Sequence, residues 1–254
     1  MSIAKDKDEI IAHKKKAIRS INNLLEHYIC SDDAALLKKA DLLSYWIEDY
    51  SKYISSEQDF EPARLLRYKR GSVLKVDFGF RVGHEMGGLH YAVVIENNNS
   101  HNASVITVVP LSSSDGKEIH RDNVDLGSEL YQKASDQHKI LTQQALKEKE
   151  EISELLKALK SADNPTEEMS QAIVKIKQKF DHITKLLAKL NRSEAEIQKI
   201  KSGSVAVINQ ITTISKQRIY IPRKSEDFLA GITLSESALD KINIKISEKF
   251  TFQK

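Results

Sequence analysis

The sequence predicts an α+β protein in which a small β-rich domain follows a helical region and is interrupted by a long helical hairpin. Apolar residues recur at helical spacing before residue 70 and again over 132–201. Short Val- and Ile-rich segments bounded by Gly, Asn or Ser fill the remainder and indicate strands. We therefore expect an N-terminal helical region at 1–70, a β-rich domain at 71–131 and 202–254, and an inserted hairpin at 132–201. Only 9 Gly and 4 Pro among 254 residues disfavour an all-β protein with many tight turns.

Composition and charge exclude several classes of protein. Apolar residues make up 40% of the chain, enough for a core, which excludes a wholly disordered protein. No apolar run reaches about 18 residues, so no membrane-spanning helix is expected. The N-terminus lacks the apolar segment of a secretory signal, and we expect a cytoplasmic protein. The one cysteine, Cys30, excludes an internal disulfide framework and a cysteine-cluster zinc site, and is expected to be a small buried residue.

Two helices are predicted in the N-terminal region. The first carries apolar residues at helical spacing from Ile11 to Tyr28. Ser31 followed by Asp32 and Asp33 has the composition of a helix start, because these side chains accept hydrogen bonds from the first free N–H groups. The second helix then presents one apolar face, beside which we expect Trp46 to pack.

The β-rich segments are followed by a last helix. A Gly-rich loop, Gly79–Gly88, separates the first two predicted strands, and Thr233 to Glu236 has the form of a capping box that opens the final helix. Its inward residues are expected to be Leu239, Ile242 and Ile246. The predicted strands are Ser72–Phe78, Ala92–Glu96, Val105–Leu111, Val205–Ile208 and Arg218–Pro222.

The segment between the strands predicts two antiparallel helices of about 30 residues. We place the connecting turn at 162–166, around Pro165, and expect a coiled-coil interface between the arms. A seam of this kind is either satisfied by the partner arm or recruits another chain. The seam residues are Leu141, Ala145, Ile152, Leu155 and Leu159 before the turn, and Ile173, Ile176, Phe180, Ile183, Leu187, Leu190 and Ile197 after it.

Three stretches of the β-rich segments resemble the PemK/MazF family of toxin endoribonucleases. Residues 71–78 are similar to the opening strand of the family, and 82–95 read VGHEMGGLHYAVVI where the family reads close to VGHEQGGxRPAVVI. Residues 108–113, VVPLSS, match a strand that ends in Pro-x-Thr-Ser. Residues 205–218 are similar to the Gln-Ile-Arg-Thr-Ile-Asp-Lys-x-Arg signature. The N-terminal region and the hairpin have no counterpart in compact members.

The resemblance implies a small SH3-like barrel that forms a homodimer. It implies the toxin of a type II toxin–antitoxin system, whose partners are single-stranded RNA and an antitoxin protein, and whose DNA contact is made through the antitoxin complex. It also implies cleavage without metal or other cofactor, in which the 2′-hydroxyl attacks its own phosphate and leaves a cyclic phosphate.

The family resemblance makes His84, Glu85, His90 and Ser112 the candidate catalytic residues. Such cleavage needs a base near the 2′-oxygen, an acid near the leaving 5′-oxygen and donors on the phosphate. His84 and Glu85 lie in the Gly-rich loop, where they either act or cap backbone groups. His90 stands where the family has Arg, so it is either the acid or the mark of an inactive nuclease. We expect His84, His90 and Ser112 to converge on one phosphate.

Four further residues are predicted to contact RNA. Ser113 matches a phosphate-binding hydroxyl or belongs to an ordinary polar turn. Gln210 braces the strands or the dimer interface, and Arg218 contacts nucleic acid or is a solvated strand end. Asn209 is able to bond a base or phosphate but not to act as a general base. Val207 and Thr212 stand where Arg is found in some members, which removes positive charge.

Two functions therefore remain open from the sequence. The first is a metal-independent mRNA endonuclease. The second is a catalytically degenerate regulatory module on the same barrel that binds RNA or a partner protein. The net charge is only +3, and the β-rich segments are close to neutral, which provides little overall attraction for RNA. The Gly-rich loop and the two serines favour the nuclease, whereas His90, Val207 and Thr212 favour the binding module.

Overall fold

The computed structural model describes residues 6–114, 116, 118–160, 167–200, 203–225 and 227–252. The chain divides into two compact units, Met1–Phe60 with Gly79–His84, and Glu61–Phe78 with Glu85–Lys254. The predicted α+β class is confirmed, because an antiparallel sheet and several helices are present. Each unit is described below by itself.

The first unit contains the two predicted helices, α1 (Lys7–Ile29) and α2 (Ala34–Ser55). The predicted start of the second helix is confirmed to within two residues, but its N-cap is Asp33 and not Ser31: the Asp33 carboxylate accepts a hydrogen bond of 2.8 Å from the N–H of Ala35. Trp46 packs against aromatic rings on its own helix, with ring centroids 5.6 Å from Tyr50 and 6.3 Å from Tyr53. The helical prediction for this region is correct over Lys7–Ile29 and Ala34–Ser55.

Two expectations for this part of the sequence are wrong. Cys30 is exposed, because it caps the C-terminal end of α1 instead of lying on the apolar face. After Ser55 the chain forms no further α-helix before the sheet and contains a single 3₁₀ turn at Pro62–Arg64. Pro62 begins that turn, since proline is favoured at a first helical position but lacks an N–H for continued helix bonding.

The second unit is built on an antiparallel sheet. Its strands are β1 (Val73–Asp77), β2 (Leu89–Val94), β3 (Val105–Ser113), β4 (Val124–Asp125), β5 (Ser204–Ala206), β6 (Thr212–Ser215) and β7 (Ile219–Ile221). The order across the sheet is β4-β5-β3-β2-β1-β7, and β6 pairs with another part of β3. Strands that follow the hairpin therefore complete a sheet begun by strands that precede it. Among the described strand pairings the two ends do not meet, so the sheet is not a closed barrel.

The strand predictions are largely confirmed, with two omissions. β4 has only two residues and β6 is rich in Thr, so neither gives the apolar alternation that marks a strand. Residues 208–210 form a 3₁₀ turn instead of the end of a strand. The core contains residues of the sheet, of the first turns of the first hairpin helix, of the last turn of the second hairpin helix and of the final helix. Its largest fully buried members include Leu130, Ile208, Leu229 and Ile242.

The hairpin consists of α3 (Glu129–Lys160) and α4 (Glu167–Lys199). Side-chain contacts establish that the arms are antiparallel: His138 bonds Ser193 at 2.7 Å, and His182 bonds Glu148 at 2.7 Å. The predicted turn at 162–166 lies outside the described residues. No helix in the described part of the chain is long and apolar enough to cross a membrane.

The predicted seam of the second arm is partly wrong. Leu190 and Ile197 are buried as expected, but Phe180 is 60% exposed and Leu187 is 50% exposed, whereas Leu186 is buried. The inward face of α4 includes the polar Ser193, which a search for apolar residues alone passes over. The pattern therefore locates the helix but misplaces its buried face by about one residue per turn.

The final helix, α5 (Glu236–Phe250), confirms the predicted element but not its capping box. The N-cap is Ser235, whose hydroxyl accepts a hydrogen bond from the N–H of Ala238 at 3.2 Å. The carboxylate that accepts the N–H of Ser235 belongs to Glu129 of α3, at 2.5 Å, and not to Glu236. A residue remote in sequence thus replaces the local partner that a capping box assumes.

Candidate functional site

One cavity of the second unit brings together three of the predicted site residues. It has a volume of about 330 Å³, and His90, Ser112 and Ser113 line it together with Lys75 and Lys199. The sheet register explains the first two, because Val76 of β1 pairs with His90 and Tyr91 of β2 pairs with Leu111, the residue before Ser112. Imidazole, hydroxyl and ammonium groups therefore share one space.

His90 lies half-buried in β2. Burial lowers its pKa below the ordinary value of 6.5, and hydrogen bonds with the backbone at Gly87 and Leu111 oppose this shift only in part. The imidazole is consequently neutral near pH 7. A neutral imidazole accepts a proton readily but donates one as a general acid only at lower pH.

An ion pair links the sheet to the end of the hairpin beside this cavity. The Lys75 ammonium of β1 lies 2.5 Å from the Glu196 carboxylate of α4, and their side chains are only 8% and 15% exposed. The phenol of Tyr91 donates a hydrogen bond to the same carboxylate oxygen. Lys199, one helical turn further along, contacts the other oxygen at 2.8 Å. Glu196 thus receives three donors.

These contacts change the ionisation of the groups involved. Burial alone would raise the pKa of Glu196, but the hydrogen bonds from Lys199, Lys75 and Tyr91 outweigh burial and lower this pKa to about 2. Burial, reinforced by the Glu196 carboxylate, raises the pKa of Tyr91 well above its usual range. At neutral pH the cluster therefore contains a carboxylate and a protonated phenol.

The two candidates in the Gly-rich loop belong to different units. His84 is exposed and ends the segment Gly79–His84 of the first unit, whereas Glu85 is exposed and begins the next part of the second unit. The loop after Glu85 is held by Gln210, whose side-chain carbonyl accepts a hydrogen bond of 3.2 Å from the N–H of Met86. Gln210 therefore fixes the loop backbone at Met86, and its role in RNA binding or in bracing the strands stays a prediction.

The remaining RNA-binding candidates lie outside the lining of the cavity. The guanidinium of Arg218 donates to the carbonyl of Asp77 at 2.8 Å, at the end of β1. Asn209 is exposed and its amide bonds the Asp122 carboxylate, which also pairs with Lys249 at 2.5 Å. The second unit therefore brings His90, Ser112 and Ser113 together, and positions Asn209, Gln210 and Arg218 elsewhere.

Sequence reasoning missed four residues of this site: Lys75, Tyr91, Glu196 and Lys199. Lys75 carried a usable signal, because a lysine within the apolar strand Val-Leu-Lys-Val is unusual for a position buried to 6% exposure. Glu196 and Lys199 carried none, since they resemble many other charged residues of the hairpin. Among the described residues no group of three or more His, Cys, Asp or Glu side chains is arranged to hold a metal ion.

Residues 69–176 match the profile of a family described as PemK-like, MazF-like toxin of type II toxin-antitoxin system. The chain carries a PemK/MazF-like toxin domain. The match begins before β1, covers β1 to β4 and α3, and ends within α4. No curated protein matches the chain. The third predicted motif of the PemK/MazF-like domain, at 205–218, follows the matched residues, and its strands pair with β1 and β3 inside them.

Proposed function

We propose that this protein is the toxin of a type II toxin–antitoxin system and cleaves single-stranded mRNA without a metal ion. The 2′-hydroxyl of the substrate attacks the adjacent phosphorus, the bond to the 5′-oxygen breaks, and a cyclic phosphate and a 5′-hydroxyl result. His90 is the proposed proton donor to the leaving oxygen, and Ser112 the proposed donor to a phosphate oxygen. Glu85, which belongs to the same unit as His90, is the proposed base that removes the proton from the 2′-hydroxyl, and a catalytic role of His84 stays a prediction from the sequence.

The observation that carries this proposal is the cavity shared by His90, Ser112, Ser113, Lys75 and Lys199. The pentacoordinate phosphorus of the transition state bears more negative charge than the substrate phosphodiester. Fixed hydroxyl and ammonium donors that surround this charge lower the barrier. The family membership of residues 69–176 supports the same class of substrate.

The proposed domain organisation follows the strand pairing. Residues 71–131 and 202–254 form one PemK/MazF-like domain related to SH3-like barrels, 132–201 are a coiled-coil insertion, and 1–70 are an N-terminal addition. The pairing of β5 with β3 and of β7 with β1 supports a single domain across the insertion. We further propose a cytoplasmic homodimer that is inhibited by an antitoxin and contacts DNA only through the antitoxin complex.

A specific observation favours the second function, a binding module without cleavage. The lowered pKa of His90 leaves little imidazolium at pH 7 to act as an acid, and Glu196 neutralises Lys75. A protein of this kind would retain Ser113, Asn209, Gln210 and Arg218 as RNA contacts and would lack turnover.

The test is incubation of the purified protein with a mixed-sequence RNA in EDTA, followed by analysis of the new ends. We expect cyclic phosphate ends with the wild-type protein, and a loss of at least about a hundredfold in rate with His90→Ala. Ser112→Ala is expected to slow cleavage about tenfold, because one neutral donor to the phosphate is removed. His120→Ala is the matched control, since His120 is an exposed histidine of the same unit.

The two functions give different results. Cuts that persist unchanged in His90→Ala would remove this residue from the chemistry. RNA binding without any cuts at high protein concentration would establish the binding module instead. If the protein neither binds nor cleaves RNA, RNA is excluded as the substrate.

A further inference from the structure

The carboxylate of Glu196 occupies a cluster of hydrogen-bond donors, and without this carboxylate the donors would attract an external anion. Lys75, Tyr91 and Lys199 all direct a donor at this one group. Two ammonium groups and one phenol are also a suitable donor set for a phosphodiester, whose two non-bridging oxygens share one negative charge. The chain therefore supplies its own anion at a place with the donors of a phosphate site.

The position of this cluster relates it to the proposed reaction. Lys75, Tyr91 and Lys199 line the same cavity as His90 and Ser112. Glu196 itself lines a second cavity of about 750 Å³, between the last third of α4 and β7. The ion pair between Lys75 and Glu196 thus joins a residue that lines the first cavity to a residue that lines the second.

The second cavity has the residue types that a single strand requires. Tyr220 lines it and is 60% exposed, and Lys185 and Lys189 of α4 line its other wall. The ring centroid of Tyr220 lies 5.8 Å from the Lys75 ammonium. Exposed aromatic rings stack with unpaired bases, and neighbouring lysines contact the backbone that joins those bases.

We propose that Lys75, Tyr91 and Lys199 form a phosphate subsite for single-stranded RNA, and that Glu196 of the inserted hairpin occupies it as an internal competitor. The choice of RNA as the strand rests on the proposed function. A phosphate that enters the subsite displaces the carboxylate, which turns toward solvent, and the three donors pass from one anion to the other. The hairpin therefore contributes both a phosphate contact, Lys199, and the group that limits binding.

The test measures the affinity for a short single-stranded oligonucleotide with 2′-deoxyribose at every position, which the proposed reaction cannot cleave. Fluorescence anisotropy at low salt compares wild type with Glu196→Gln. We expect the affinity to rise about tenfold. We also expect the slope of log affinity against log salt concentration to steepen by the amount that about one additional phosphate contact produces. The matched control is Glu194→Gln, which removes the same charge from an exposed position on the same helix and is expected to change affinity less than twofold.

A second variant keeps the proposal testable if Glu196→Gln does not fold. Lys199 is 61% exposed, so Lys199→Gln is expected to preserve the structure. We expect it to weaken oligonucleotide binding about fivefold, whereas Lys177→Gln, at an exposed position far along the same helix, leaves binding nearly unchanged.

The outcomes separate this inference from the proposed function. Unchanged or weaker binding by a folded Glu196→Gln, or equal effects of Lys199→Gln and Lys177→Gln, would overturn the subsite. Cleavage of RNA by the wild type alongside either result would leave the nuclease proposal intact. Tighter binding by Glu196→Gln without cleavage in any variant would support the subsite and reject the nuclease.

Discussion

The indole of Trp46 fills the space into which a side chain at Gly79 would project: a Cβ at Gly79 would lie 2.5 Å from the ring. Gly79 also has φ of 73°, a conformation that other residues adopt at a cost. We expect Gly79→Ala to destabilise the first unit by about 3 kcal/mol, because backbone strain and steric overlap act together. Intrinsic fluorescence of Trp46, the single tryptophan, reports the change during denaturant unfolding.

Gly83 provides the matched control for this prediction. Its φ of 63° imposes the same backbone strain, but nothing lies within 4 Å of a Cβ at that position. Gly83→Ala is expected to cost about 1 kcal/mol and to leave the Trp46 emission of the folded protein unchanged. Equal losses for the two variants would mean that the indole contact contributes nothing.

The ion pair between Lys75 and Glu196 predicts unequal effects of removing its two members. Glu196→Ala leaves the buried Lys75 ammonium without its carboxylate and is expected to cost about 3 kcal/mol or more. Lys75→Met is expected to cost less, because Glu196 retains its contact with Lys199. Urea unfolding of the single variants and of the double variant Lys75→Met/Glu196→Ala measures the coupling. The double variant is expected to be more stable than Glu196→Ala, and a less stable double variant would contradict this account.

The low pKa of Glu196 predicts a loss of stability in acid. This pKa is about 2 in the folded protein and 4.5 ordinarily, so the folded state favours the ionised form. The resulting stabilisation, about 3 kcal/mol, is fully present above pH 4.5 and is lost as the pH falls from 4.5 toward 2. Thermal unfolding across this range is expected to show a shallower pH dependence in Glu196→Gln than in wild type. Identical slopes would show that other carboxylates dominate.

The burial of His90 predicts the pH at which it titrates and acts. Its pKa lies below 6.5, so NMR titration of the imidazole is expected to show a midpoint below that pH. If His90 donates the proton to the leaving oxygen, cleavage rises as the pH falls toward this pKa, and this rise disappears in His90→Ala. A midpoint above 6.5 would contradict the burial argument.

The sequence predicts elements well where their signals are local. Asp33 starts α2 because its own carboxylate caps the next residues, and the apolar run around Val93 forms a strand that turn residues bound on both sides. It fails where partners are remote: the carboxylate that accepts the N–H of the α5 cap residue comes from Glu129, and the short β4 forms only because β5 pairs with it. An apolar pattern also passes over Ser193 on the buried face of α4, because its hydrogen-bond partner, His138, belongs to the other arm.

The sequence likewise predicts some residues of the candidate site and not others. The grouping of His90 with Ser112 followed from a family resemblance, and the register of β2 and β3 is consistent with it. The sequence does not predict Glu196 as a site residue, since its ion-pair partner, Lys75, is 121 positions away in the sequence. Charged residues of a helix look alike until the structure shows which one is buried against an opposite charge.

The pairing of β7 with β1 and of β5 with β3 has a consequence for synthesis of the protein. When the ribosome has released the chain only as far as α4, β1 and β3 still have open edges, and no later strand exists to cover them. A chain halted at that stage lacks its completed sheet and the last core helix. We expect such a partial chain to leave these strand edges exposed until β5 and β7 are synthesised, and to lack the cavity lined by Gly203 and Ser204 until then.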